Sequence, residues 1–179
     1  MKMACFDLET TNLRANFGRL IVACFAELNN DNVVIMRADD KKYRCKNIGD
    51  DSKLALAVKE YLEECWMWVG YNSKMYDIPF LNTRLMLADE KPVDRRLHAD
   101  LLYYCRRPHL NLNNARLDTV AKTFRLKEQK TVLDPDIWVN AMMLDKEALD
   151  YVAEHCVQDV LVLKEVFPIL APNIRNIHY

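Results

Sequence analysis

Residues 20–28 read LIVACFAEL, an almost unbroken apolar run. A strand of that kind tolerates water on neither face, so it belongs near the centre of a sheet covered on both sides. MACFDLET, at 3–10, is a strand of the same character, and the connection between them holds Asn12, Asn16 and Gly18. That spacing suits a hairpin with a rather long loop. NVVIMRA, at 32–38, follows the turn signal NND and is expected to add a third, antiparallel strand. Downstream, apolar periodicity changes to that of helices. DDSKLALAVKEYLEECW opens with a capping-type Asp-Ser and places Leu54, Val58, Tyr61, Leu62 and Cys65 on one side. WMWVGYN is a short buried strand, and YDIPFLNTRLMLAD is a helix with Pro79 in its first turn. LHADLLYYC, at 97–105, is a strand running into a helix, RLDTVAKTFRL is a short helix, and a long helix spans residues 145–167, stopping near Pro168. The expected class is α/β: a mixed five-stranded sheet, an antiparallel meander plus parallel strands, with helices on both faces.

Bulk properties narrow the function. The 179 residues suit a single domain, 1–179, and 51% hydrophobic with 28% charged residues excludes a disordered chain. Three glycines and six prolines leave no long flexible linker. No apolar run approaches the ~20 residues of a membrane span. The N-terminus, MKMACFDLETT, lacks the pattern of a signal peptide, so the expected location is the cytoplasm. With 25 basic and 26 acidic residues the net charge is −1. That weakens the case for a protein holding duplex by electrostatics alone, and leaves room for an enzyme that grips a few nucleotides. The six cysteines form no C-x2-C pair, which disfavours structural zinc; they are expected to be reduced, buried thiols.

Four acids and a histidine carry the chemistry. Asp7 and Glu9, two apart on a strand, point to the same face. Two carboxylates that close repel each other and resist desolvation, unless a divalent cation relieves them; the alternative is a surface strand with two solvated acids. Asp77 stands at a helix start, where aspartate is also a common N-cap. His155 and Asp159, in HCVQD, are at i, i+4 and share one helix face; alone they would read as a surface pair. Taken together, the acids suit hard cations with oxygen ligands, as in hydrolysis by two ions about 3.5–4 Å apart.

With these residues in place, the sequence resembles the DEDD (DnaQ-like) 3′–5′ exonuclease superfamily, which has a ribonuclease-H-like fold. FDLETT matches its first motif, GYNSKMYD its second and HCVQD its third, while ARLDTVAKTFRL resembles the helix between the last two. The likeness spans roughly residues 3–167 and is greatest to the stand-alone polymerase-B-type branch. It implies metal binding by Asp7, Glu9, Asp77 and Asp159, two Mg2+ or Mn2+ ions, and a single-stranded nucleic acid 3′ end as substrate. It also implies substrate contacts from Thr10, Thr11, Asn72 and Tyr76, although Tyr76 equally suits the core. The family has two subtypes, with a tyrosine four residues before the last aspartate or a histidine five before it. Here His155 occupies the tyrosine's spacing. His155 is the expected general base, because imidazole titrates near ~6.5 and phenol near ~10. Tyr151 is the fallback.

The expected function is therefore a metal-dependent 3′–5′ exonuclease acting on single-stranded DNA, standing alone or as a subunit, with a replication or repair partner and of phage or bacterial origin. An exoribonuclease of the same superfamily and a non-catalytic nucleic-acid-binding domain are the alternatives. Lys122, Arg125, Lys127 and Lys130, and with less support Arg106 and Arg107, are read either as phosphate contacts or as a solvated face. His98 and Asp100 are read as strand-end residues, Asp100 near the site.

Overall fold

The computed structural model describes residues 1–128, 134–174 and 177. Five strands, β1 (Met3–Thr10), β2 (Leu20–Glu27), β3 (Val33–Arg37), β4 (Met67–Gly70) and β5 (Leu97–Asp100), form one sheet in the order β3-β2-β1-β4-β5. β1 pairs antiparallel with β2 and parallel with β4; β2–β3 is antiparallel and β4–β5 parallel. This is the expected mixed sheet. The helices are α1 (Ser52–Glu64), α2 (Asp77–Leu87), α3 (Leu101–Tyr104), α4 (Leu117–Phe124), α5 (Pro135–Met142) and α6 (Lys146–Leu170), followed by a 3-10 turn (Ala171–Asn173). Among the described residues no helix is long and apolar enough to cross a membrane.

Strand alternation sorts the interior into two cores. Ala4, Phe6 and Leu8 of β1 pack with Phe25, Trp68 and the apolar stripes of α1 and α2. Cys5 turns the other way, into a core with Val22, Cys24, Val69 and the α6 residues Val152, Cys156, Val160 and Leu163. Residues 7 and 9 share the parity of Cys5, so pleating alone aims Asp7 and Glu9 at α6. Every residue of β2 except Glu27 is buried, which accounts for its unbroken apolar sequence.

Three local expectations are corrected. α6 does not stop near Pro168 but continues through it to Leu170. A proline this close to the end forfeits a single backbone bond, and the fully buried Leu170 anchors the last turn. α5 was not expected; its sequence signal is DPD, with the Asp134 carboxylate accepting the Asp136 N–H (2.8 Å) and Pro135 in the first turn. Asp51 stands at the N-cap position of α1, but its side chain makes no cap bond. It instead accepts the Leu20 N–H (2.6 Å) and a bidentate pair from Arg84 (2.7 and 3.0 Å), tying β2, α1 and α2 together. Arg84 also donates to the Ala15 carbonyl (3.1 Å) in the β1–β2 connection. Asp51→Ala should cost about 3–5 kcal/mol in urea denaturation, because it strands a largely buried guanidinium and a buried N–H together. A loss below about 1 kcal/mol would remove this junction as a structural keystone.

Candidate active site

The site forms where central β1 meets α6. β4 is paired with β1 only as far as Cys5↔Val69, so the β1 edge beyond it is open. Asp77, the first residue of α2, reaches across and accepts the Leu8 N–H with Oδ1 (3.1 Å). Asp77 is thus no N-cap; Tyr76 holds that position without a side-chain cap bond. β4 ends at Gly70, where an added Cβ would lie 2.1 Å from Ser73 Oγ and 3.2 Å from the Phe6 ring. Only glycine lets the chain turn so tightly here and deliver Asp77 beside β1.

From the other side, α6 presents His155, Cys156 and Asp159, all buried. His155 Nε2 lies 4.0 Å from Glu9 Oε1 and 3.9 Å from Asp159 Oδ2, so the imidazole bridges β1 and its own helix. Tyr151 is 38% exposed, one turn earlier on α6. Cys156 was not anticipated as a site residue. Its Sγ is 3.5 Å from both the carbonyl oxygen and Oδ2 of Asp7, and one ligand atom each from Asp7, Glu9 and Cys156 lie within 4.8 Å of one another. Burial, the neighbouring Cys24 and the charges of Asp7 and Glu9 all push the Cys156 thiol up. It therefore stays protonated and donates to Asp7, leaving the carboxylates as the ligands suited to a hard cation.

The electrostatics show how the acids strain against one another. Burial, followed by the charge of Asp7, holds the Asp77 carboxyl well above the usual carboxylate range; Asp100 adds to this, while the N–H bonds from Leu8 and Asp77 itself oppose it. A buried carboxyl facing other carboxylates accepts ionisation only with a compensating positive charge. Asp7 and Glu9, beside the Cys156 thiol and facing the buried Asp77 carboxyl, thus form a donor set that fits a divalent cation.

A cleft of about 690 Å³ adjoins the acids, and Glu9, Thr10, Thr11 and Tyr76 line it together with Arg14 and Trp138. The Thr10 and Tyr76 hydroxyls bond each other (2.5 Å), and Thr10 Oγ1 also donates to the Asn12 carbonyl (3.1 Å). Tyr76 is therefore a cleft wall as well as a packing residue, its ring 5.9 Å from that of Phe80. Trp138, half-buried on the unexpected α5, was missed for want of that helix. Asn72 lies outside this cleft, on the far side of the turn that carries Tyr76. Asp100 caps α3 through the Leu102 N–H (3.1 Å) and reaches the acids only through its charge. Of the basic residues, Lys122 pairs with Asp118, and Arg125 and Lys127 line a separate cavity with Asp31 and Glu165. None of these three lines the cleft, and Lys130 lies outside the described residues. Arg107 is bonded to Asn111.

Comparison with known proteins places this architecture. A family model described as the RNase_H superfamily matches residues 4–171. Among curated protein sequences none matches the chain. A family B DNA polymerase from the hyperthermophilic archaeon Pyrobaculum calidifontis has a similar structure, with a TM-score of 0.73 at 20% identity. The match covers 96% of this chain and 25% of that chain, so this chain spans about a quarter of the polymerase's length.

Proposed function

Because the chain belongs to the RNase_H superfamily, we propose that it is a metal-dependent 3′–5′ exonuclease of the DEDD type, acting on single-stranded DNA ends. The observation that carries this reading is the position of His155 Nε2, 4.0 Å from Glu9 and 3.9 Å from Asp159, at the edge of an acid cluster made from three separate elements. The fold likeness to a family B DNA polymerase is in keeping with it.

Asp7, Glu9, Asp77 and Asp159 would hold two Mg2+ or Mn2+ ions, which when bound supply an activated water and charge relief at the leaving oxygen. The protein's own groups do the rest. His155 Nε2 takes the proton of the attacking water as its oxygen bonds to phosphorus. The bond from phosphorus to the 3′ oxygen breaks, that oxygen takes a proton from solvent, and a nucleoside 5′-monophosphate leaves. Thr10 and Tyr76, locked together by their hydroxyls, position the terminal nucleotide, and Trp138 offers an aromatic face across the cleft. His155 serves at the spacing of the tyrosine subtype because i, i+4 places it on the same helix face as Asp159.

The test is degradation of end-labelled single strands of DNA and RNA by protein first stripped of metal. Mn2+ or Mg2+ should restore release of mononucleotides from the 3′ end. No metal-dependent hydrolysis of either strand would sink the enzyme reading in favour of a binding domain. Release from the 5′ end first would contradict the assigned polarity, and activity confined to RNA would reassign the substrate.

A further inference from the structure

A second cavity, of about 340 Å³, opens on the other side of the turn that carries Tyr76. Asn72, Lys74 and Met75 line this cavity, whereas the next residue, Tyr76, lines the catalytic cleft. The turn is compact, for the N–H groups of Met75 and Tyr76 both donate to the Asn72 carbonyl (3.0 Å each). One turn of backbone therefore separates the two cavities. Asn72 enters the turn with φ 62°. Asp100 pins it from beneath, accepting the N–H groups of Asn72 (2.8 Å) and Lys74 (3.0 Å).

The walls combine aromatic surface with positive charge. Tyr103 is 62% exposed, yet its ring is braced by Tyr104, edge-on at 5.1 Å, and by His109 at 5.2 Å. Lys74 and Arg106 supply two cations, and among the described residues neither forms an ion pair within 4 Å. The Asp100 carboxylate is spread over three backbone N–H bonds, from Asn72, Lys74 and Leu102, which blunts its repulsion of a phosphate. The charge of Asp100 acts on Lys74 without closing an ion pair, and a braced aromatic beside such cations suits sequence-tolerant binding of single strands. The volume lies within the range of sites that hold a small molecule or a single nucleotide.

We propose that this cavity is an upstream subsite for the single-stranded substrate, in which Tyr103 stacks a base while Lys74 and Arg106 hold phosphates. This rests on the proposed exonuclease reading and deepens it: the strand crosses the turn at Asn72 before its 3′ end reaches the acids. Asn72, expected at the substrate but absent from the cleft, then meets the strand where it crosses between the two cavities. Of the basic residues read as phosphate contacts, Arg106 lines this cavity, joined by Lys74.

The proposal is tested by fluorescence anisotropy of labelled oligothymidylates, a trinucleotide and a dodecanucleotide, with Ca2+ in place of the hydrolytic metal. Tyr103→Ala and Arg106→Ala are both exposed, and unchanged unfolding midpoints would show the fold intact. Each should weaken binding of the dodecanucleotide by about tenfold, with the trinucleotide little affected. Arg106→Ala should also lower the slope of log Kd against log salt by ~0.7, the signature of one lost phosphate contact on a single strand, whereas Tyr103→Ala should leave it unchanged. Unaltered affinity for the dodecanucleotide, or equal losses at both lengths, would overturn the subsite. Binding is read without hydrolysis, so a protein that binds by length but cleaves nothing would support the subsite while refuting the exonuclease reading.

Discussion

Asp77→Asn should silence hydrolysis and at the same time make the metal-free protein more stable. Asparagine keeps an oxygen for the Leu8 N–H but cannot ionise, so the geometry survives and the charge does not. The folded pKa of Asp77 is raised above its unfolded value, chiefly by burial and then by Asp7. A group so shifted contributes stability that is fully present below its unfolded pKa, about 3.9, and is lost as pH rises through the folded pKa. At alkaline pH the metal-free wild type has lost that contribution, whereas the variant has nothing to lose. In chelator, the unfolding midpoint of the variant should therefore exceed that of the wild type by an amount that grows with pH. A gain of roughly 1 kcal/mol would appear as about 2–4 °C. Mn2+ should raise the wild-type midpoint and do much less for the variant. Hydrolysis should fall on the order of 10³-fold or more, since a bound ion's stabilisation of the reacting phosphate is worth several kcal/mol. A variant less stable than the wild type at every pH would show that the Asp77 charge is not under strain.

His155→Ala should reduce the rate by ~10²–10⁴, the range lost with a general base. Tyr151→Phe should cost less than tenfold. Partial rescue of His155→Ala by added imidazole would separate proton transfer from a structural role, because a cavity filled by a free base restores chemistry but not a covalent tether. A loss below tenfold for His155→Ala would move the role to Tyr151 or leave the water to the bound metal alone. The comparison is informative because the two residues differ in placement: His155 is buried between two carboxylates, and Tyr151 is 38% exposed.

Much of this site was legible without coordinates, for a definite reason. Asp7 and Glu9 share a face because strand side chains alternate, and His155 and Asp159 share one because four residues nearly complete a helical turn. The five strands were marked by apolar runs and turn residues, and β2, apolar up to Glu27, foretold a sheet covered on both faces. The missed helix α5 left its signal in DPD, but its apolar pattern is too short to stand out. With it went Trp138, which lines the cleft together with Tyr76.

Relations between distant segments are a different matter. Nothing near residue 156 announces that its thiol donates to Asp7, 149 positions away, or that Asp51 abandons its cap to hold Arg84 and Leu20. Asn72 and Tyr76 sit four apart in one motif, yet the turn between them sends them into separate cavities. By itself, the sequence determined which residues share a strand or helix face, since that periodicity is a property of the local backbone. Which faces meet was decided only by the tertiary structure: the packing of α6 across β1, and the end of β4 at Gly70, bring the half-buried Asp7 and Glu9 beside the buried Asp77 and Asp159.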